Sequence, residues 1–408
     1  MGWDVPGARS LLIVVCLLAC GALRVSGQAA PSEPSISVIT FGRGDRVHQY
    51  FGHNALVVEG GGFEEPMVFN YGMFAFGPNM IPQFLKGRLR FWLGVSPLQR
   101  TVARYKAANR DVRVLDLQLT AAERAGILQK LLHDAKPENR YYLYDHYRDN
   151  CSTRVRDILD DALAGQLRRH WSKRAPFNLR QETRRYTAQD LLTQWSMMFG
   201  LNGSVDRPQT LWEDVFLPLE LEALLEAETV GGAPLVTRKR TLFAAQRAPL
   251  ATQPNDARAV TLAWGLGLAL LPLLLGEAAR RRLWGCRGLL SALGTAYGLL
   301  GGLAGTLLAY LALFSDHEVA HGNLNLLLLN PLTLLAGLAS FSVLYRTSRR
   351  QLQAWRLLWM VHAATSLVLC CAALLGAEQD VSLTAGLLAP LAFGLAISSV
   401  RSGEREKI

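Results

Sequence analysis

Cysteine is scarce in this chain. Of six cysteines in 408 residues, only Cys151 lies between the N-terminal apolar stretch and the first long hydrophobic segment. In a domain outside the cytoplasm, a lone cysteine has no internal partner. A disulfide framework is therefore excluded, and Cys151 is either idle or a reactive thiol. A glycine-rich phosphate loop, a CxxC pair, zinc-ligand spacing and an internal repeat are also missing. These absences argue against P-loop nucleotide chemistry, thioredoxin-type redox chemistry and a structural zinc module, and no metal or cofactor is expected. Positive charge is absent from two short stretches, Ser315-Asp316-His317-Glu318 and Gly376-Ala377-Glu378-Gln379-Asp380.

Apolar residues are plentiful: half the chain is hydrophobic, and the excess lies almost wholly after Ala259. Five segments there (residues 259–276, 288–314, 324–345, 357–375 and 381–400) are each long enough to cross ~30 Å of hydrocarbon as a helix. Arg280, Arg281, Arg282 and Arg287 fill the first connection, and Arg346, Arg349, Arg350 and Arg356 the third. Arg401, Arg405 and Lys407 follow the last segment, while the two stretches without Lys or Arg are the second and fourth connections. Cationic connections stay on the cytoplasmic side, so residues 401–408 form a cytoplasmic tail and the N-terminal half faces away from it. The N-terminus agrees: Arg9, an apolar run from Leu11 to Ala19 and small residues at Val25-Ser26-Gly27 read as a secretory signal over residues 1–27. Leu17-Leu18-Ala19-Cys20 is an imperfect lipobox, which leaves lipidation of Cys20 as the alternative. Much of the +10 net charge is thus topological and requires no nucleic-acid partner. The remaining basic stretches, Arg168 to Arg174 and Arg180 to Arg185, suit anionic headgroups or an ordinary solvated face.

The exported half reads as an α+β domain. Strand-type alternation runs through Ile36–Phe41, Ala55–Glu59, Met67–Tyr71 and Val112–Leu117. Thr120-Ala121-Ala122-Glu123 is a capping box opening a helix, and a second helix starts at Cys151 behind Asn150, with Val155, Ile158, Leu159 and Leu163 as its apolar stripe. The expected division is a core over residues 28–165, a helical extension to the membrane over 166–258 and five membrane helices over 259–400.

At the first turn of a helix capped by Asn150, the thiolate of Cys151 is stabilised by unpaired amides and by the helix dipole. Arg148 and Arg154 add positive potential. A thiolate nucleophile also needs a proton acceptor, normally a histidine oriented by a third polar group. Among His48, His53, His133, His146 and His170, the candidate best placed is His53, at the head of an apolar strand, although it can equally be a histidine that merely ends a strand. His146 is placed to bond near the cysteine loop. His317 and His321 stand four apart but lack a third metal ligand. Asn325 and Asn330 enter the third span, where polar groups mark either function or a helix broken before Pro331.

The order His on a strand, then Asn-Cys at a helix start, is similar to that of the circularly permuted papain-like group. More closely, Tyr50-Phe51-Gly52-His53-Asn54-Ala55-Leu56, Phe69-Asn70-Tyr71-Gly72, Pro137-Glu138-Asn139-Arg140-Tyr141 and Tyr147-Arg148-Asp149-Asn150-Cys151-Ser152-Thr153-Arg154 resemble the Lnb family of bacterial lipoprotein N-acyltransferases. The resemblance continues through Asp316-His317, Asn323 to Leu327 and Asn330-Pro331. It implies a permuted papain-like exported domain followed by an all-α five-helix domain in the inner membrane. It also implies transfer of an acyl chain from a phospholipid donor, through a thioester on Cys151, to the α-amine of a diacylated lipoprotein. His53 would be the base and Asn70 its orienting partner, with Asp145 and Asp149 as alternatives. The amide of Cys151, with Tyr71 or Asn54, would stabilise oxyanions. Arg148, Arg154, His317, His321, Asn325 and Asn330 are candidate lipid or substrate contacts. The rival readings are a membrane-anchored thiol hydrolase or peptidase of the envelope, and a tethered binding module with an idle cysteine.

Overall fold

A computed structural model describes residues 32–345 and 348–401. The expected signal sequence, Cys20 and the tail beyond Arg401 lie outside the described residues. In chain order the exported half comprises β1 (Ser35–Phe41), β2 (His53–Glu59), β3 (Met67–Met73), α1 (Met80–Leu85), β4 (Arg90–Pro97), α2 (Leu98–Ala107) and β5 (Val112–Leu117). There follow α3 (Ala121–Asp134), β6 (Tyr141–Leu143), α4 (Cys151–Ala162), α5 (Gln166–His170), α6 (Leu179–Thr187), α7 (Leu191–Gly200), α8 (Leu211–Asp214) and α9 (Pro218–Ala227). The half ends with β7 (Thr229–Val230), β8 (Ala233–Pro234) and β9 (Val236–Phe243).

Seven strands form one antiparallel sheet in the order β6-β4-β3-β2-β1-β5-β9. The interior strand β1 is buried on both faces from Ile36 to Phe41, which is why it reads as a nearly continuous apolar run. Alternation sends Ile36, Val38, Leu56, Val58, Phe69 and Leu115 to one face, where they pack on Ile127 and Leu131 of α3 and Val155 and Leu159 of α4. Ile39, Phe41, Ala55, Val57, Val112 and Val114 point to the other, against Leu98, Val102 and Tyr105 of α2. The helix starts follow their caps: Thr120 Oγ1 accepts from the Glu123 amide at 3.3 Å, and Glu123 Oε2 accepts from the Thr120 amide at 2.7 Å.

Residues 166–258 are not a separate helical extension, contrary to the division expected from sequence. Leu167, Trp171, Val215, Leu221 and Leu225 belong to the same core as the sheet, and β9 adds an edge strand alongside β5. The charged pattern of β9 hid it: Arg238, Lys239 and Arg240 sit on an edge, where cations also discourage pairing with other chains. Arg240 is anchored to Asp116 at 2.6 Å and Lys239 to Glu222 at 2.9 Å.

Among the described residues, five helices are long and apolar enough to cross a membrane: α10 (Arg258–Arg280), α11 (Cys286–Phe314), α12 (Pro331–Tyr345), α13 (Arg349–Leu374) and α14 (Ser382–Arg401), the third span beginning with a short 3-10 turn at Leu324–Leu327. Because hydrocarbon gives helices little reason to associate, close approach relies on small residues. A Cβ on Gly298 of α11 would lie 2.3 Å from the Gly337 Cα of α12, and one on Gly337 would lie 2.6 Å from the Gly298 carbonyl carbon. Gly337→Leu is therefore expected to separate α11 from α12 and cost ~1–3 kcal/mol. Thermal unfolding in detergent checks this against Leu335→Ala, a change at an outward-facing position; equal midpoints would refute the packing argument.

Candidate active site

Helix α4 begins at Cys151 because Asn150 stops the chain before it. Asn150 is extended (φ −123°, ψ −171°), and its Oδ1 accepts from the amides of Ser152 at 2.9 Å and Thr153 at 3.0 Å. Its Nδ2 donates to the carbonyls of His146 at 2.7 Å and Phe216 at 2.9 Å. The cap is thereby fixed to the preceding loop and to the approach to α9. Cys151 is half-buried in the first turn, where the helix dipole favours an anion.

His53 reaches the thiol from the other side. Strands β2 and β3 are paired from Leu56 to Val58 against Phe69 to Met67, and nearer the site side chains continue the link: His53 Nε2 donates to Asn70 Oδ1 at 2.7 Å. That bond leaves Nδ1 for the hydrogen bond with Cys151. Gly72 makes room for the ring. Its φ is +150°, and a Cβ there would lie 2.6 Å from His53 Cε1. Below the imidazole, Phe41 and Tyr105 stack with centroids 5.9 and 6.4 Å from it, and Arg110 lies over Tyr105 at 4.7 Å.

Opposing effects act on the thiol. Burial pushes it up, but the charge and hydrogen bond of His53, with the main-chain amides of Asn54 and Ser152, outweigh burial and hold Cys151 below the ordinary thiol value. The Asn54 side chain is committed elsewhere: its Nδ2 donates to Thr40 Oγ1 at 2.9 Å, and its Oδ1 accepts from Ser152 Oγ. Any donor from Asn54 to the reacting centre is thus its backbone amide. His146, partly buried beside Phe51 and Tyr144, is pushed by burial to about 4 and stays neutral.

Several residues singled out in the sequence do not meet the thiol. The Tyr71 hydroxyl donates to Asp134 Oδ2 at 2.7 Å, at the far end of α3. Asp145 Oδ1 accepts from the amides of Tyr147 at 2.9 Å and Arg148 at 2.8 Å, so it shapes the loop and does not orient His53. Asp149 grips Arg154 through two bonds of 2.6 and 2.7 Å, and Arg154 also lies 3.9 Å from the centroid of Tyr142. Arg148 pairs with Glu318 in the second connection of the membrane domain.

His317, His321 and Asn325 serve the seam between the two halves, whereas Asn330 bonds only within the membrane half. His317 Nε2 bonds the Phe84 carbonyl at 2.6 Å, and His321 Nε2 bonds the Ser315 carbonyl at 2.8 Å. Asn325 is fully buried; its Nδ2 donates to the Phe199 carbonyl at 2.9 Å, and its Oδ1 accepts from Thr384 Oγ1 at 2.6 Å. With Asn323 on Gly200 at 3.0 Å, it occupies carbonyls that the end of α7 would otherwise bury unpaired, while the Leu201 carbonyl is shared by Gln379 Nε2 and Arg180 Nη2, each at 3.0 Å. Asn330 Oδ1 accepts from the Leu332 amide at 2.9 Å at the start of α12, matching the helix-break reading. Among the described residues no group of three or more metal-binding side chains occurs.

Sequence reasoning missed Gly72, Thr40, Ser152, Tyr105, Arg110, Asn202 and Gln379. Ser152 and Thr40 were accessible, one beside Cys151 and the other paired in register with Asn54. Tyr105 and Arg110 follow from α2, which lacks a clear sequence signal.

Residues 24–187, which hold Asn70, His53 and Cys151, match the family model of the Lnb N-terminal periplasmic domain. Residues 269–401 match the Lnb transmembrane domain. Together these matches support the Lnb family. Among curated proteins and among solved structures, none matches the chain. The two Lnb domain matches and the five apolar helices describe a multi-pass membrane protein with an N-terminal periplasmic domain. The seam joins the two halves through Asn202, whose Nδ2 donates to the carbonyls of Glu318 at 2.8 Å and His321 at 2.6 Å.

The electrostatics make a pH prediction. Alkylation of Cys151 by iodoacetamide is expected to titrate below the ordinary thiol value, and His53→Gln should move the inflection upward, since burial then acts against fewer stabilising partners. An unchanged inflection in His53→Gln would show that the imidazole does not stabilise the thiolate.

Proposed function

We propose that the protein is a lipoprotein N-acyltransferase of the bacterial inner membrane, with phospholipid as acyl donor and the α-amine of a diacylglyceryl-cysteine as acceptor. The observation that carries this reading is the Asn70–His53–Cys151 line at a capped helix start, docked on five membrane-length helices. Lnb-family matches over both halves support it. The strand-borne His53 preceding a helix-start Cys151 also fits a permuted papain-like arrangement.

In the first half-reaction, His53 Nδ1 takes the thiol proton, and Cys151 Sγ bonds to the ester carbonyl carbon of the phospholipid. The oxyanion is met by main-chain amides, with those of Cys151 and Asn54 as the candidates. When the tetrahedral species collapses, the C–O ester bond breaks, and the lysophospholipid oxygen leaves with the proton from His53. A thioester remains. In the second half-reaction, the neutral α-amine attacks that carbonyl and yields its proton to His53 Nδ1. The C–S bond breaks, and the amide product leaves a thiolate that recovers the proton. Dividing the transfer in this way replaces one difficult displacement by two easier ones. Asn70 keeps the Nε2 proton in place, so Nδ1 stays the base in both steps.

Cys151→Ala and His53→Ala are expected to abolish N-acylation of a reporter lipoprotein without loss of membrane insertion, whereas Asn70→Ala should retain a residual rate lowered roughly 10²-fold or more. Mass spectrometry of the reporter measures the product. Normal triacylation with Cys151→Ala would overturn the proposal, and release of free fatty acid without acylated peptide by the purified enzyme would favour a thiol hydrolase.

A further inference from the structure

From Leu191 to Val205, through the whole of α7 and the turn after it, the chain carries no Asp, Glu, Lys, Arg or His. Three separate points tie this stretch to the outer ends of the spans. Gln194 and Asn255 exchange side-chain hydrogen bonds of 3.0 Å each, just ahead of α10. Asn323, just ahead of the third span, donates to the Gly200 carbonyl at 3.0 Å. Gln379, just ahead of α14, donates to the Leu201 carbonyl at 3.0 Å. Three such points define a plane, and it is the plane in which the spans leave the hydrocarbon on the exported side. Helix α7 therefore lies along the bilayer surface and not above it.

In that position the helix turns different faces to protein and to lipid. Met198 packs toward the exported core, in the cluster of Tyr50, Phe51, Tyr147 and Tyr186. Trp195 and Phe199, stacked with centroids 5.6 Å apart, belong instead to a cluster of membrane-helix residues that includes Leu308, Leu369 and Ala389. Those three stand five to seven residues inside the outer ends of α11, α13 and α14, which at 1.5 Å per residue is a depth of about 8–10 Å. Leu191 precedes Trp195 by one helical turn and continues the same face. It is nonetheless 63% exposed, and Leu192 beside it 77%. The face that begins on the membrane helices thus runs out beyond them. Ser196, exposed one turn after Leu192, returns its hydroxyl to the Leu192 carbonyl at 2.8 Å, so its donor is satisfied without water.

We infer that α7 lies in the interface of the outer leaflet, with Leu191 and Leu192 in contact with the acyl chains of its phospholipids. A helix that rests in a membrane without crossing it sinks its apolar face by about 5–10 Å, the depth reached by the neighbours of Phe199. Trp195 stands at the level where aromatic side chains anchor proteins to the interface. The occupant is lipid because the exposed leucines extend, in the same plane, the apolar surface that the five spans already present to the bilayer. This contact does not depend on which reaction the thiol performs. It does reach the site: the Tyr50 hydroxyl, three residues ahead of His53, donates to Asp190 Oδ2 at the start of α7 at 2.9 Å. The helix that rests in lipid is thereby bonded to the loop leading into the base, which fixes the height of His53 above the leaflet.

The test uses the full-length protein in vesicles of phosphatidylethanolamine and phosphatidylglycerol, with the photoreactive residue p-benzoylphenylalanine in place of Leu191, of Leu192 or of Glu65. Glu65 is exposed in the turn between β2 and β3, at the end of the sheet opposite the one where Arg88 meets Asp316. After irradiation, intact-protein mass spectrometry measures the fraction of chains that have gained one phospholipid mass, and fragmentation locates the new bond on an acyl chain. The two leucine positions are each expected to give about ten-fold or more adduct than Glu65. Iodoacetamide labelling of Cys151 at the wild-type rate certifies that a variant is folded, and either leucine position decides the question alone. Adduct no more frequent than at Glu65 overturns the assignment. Crosslinks between two copies of the chain in place of lipid overturn it in favour of a protein interface.

Discussion

The structure depends first on the Asn150 side chain. It accepts two amides of the first turn of α4 and donates to two carbonyls from separate stretches of chain, so its hydrogen-bonding capacity is largely used within 3.0 Å. This one residue decides where the helix starts, and hence that Cys151 occupies the first turn. It also ties that turn to the loop before it and to Phe216 far along the chain. Without it, the same cysteine would stand in a frayed helix end, where neither the dipole nor the amides act in a fixed direction.

The second element of the site is a junction of layers. His53 stacks on the α2 face of the sheet, Cys151 starts a helix on the other face, and they meet at the end of the sheet beyond the paired part of β2 and β3. Asn70 is on β3 and Asn54 on β2, so the hydrogen bonds that orient the imidazole and pack the helix start come from neighbouring strands. A group held from both layers resists displacement in either, and this stiffness keeps an acid–base pair at bonding distance.

Local signals made part of this readable in the sequence. The Asn150 cap, the Thr120 capping box, the four apolar strands and the five spans each declare themselves within a short window, and pairing of adjacent strands put Asn70 near His53. What stayed hidden depends on contacts between distant segments. Tyr71 sits next to Asn70, yet alternation sends it to the opposite face, where Asp134 takes its hydroxyl. Strand β9 shows a run of cations and becomes a strand because β5 offers an open edge. Asn325 has the sequence signature of a functional group in a membrane, but the bare carbonyls at the end of α7 claim it. Both the solvent exposure of a side chain and its partner are tertiary facts, and residue type alone leaves them open.

The position of β9 bears on the order of assembly during export. The sheet is complete only after residues 236–243 lie alongside β5, and this stretch ends shortly before the first membrane helix begins at Arg258. The domain therefore cannot finish folding as its first strands emerge; it waits for the last segment ahead of the bilayer to be translocated. Closing the sheet draws that end of the chain to the domain's edge just as the first span enters the membrane. Folding on one side of the membrane and insertion into it are thus successive stages of a single process, joined by one short edge strand.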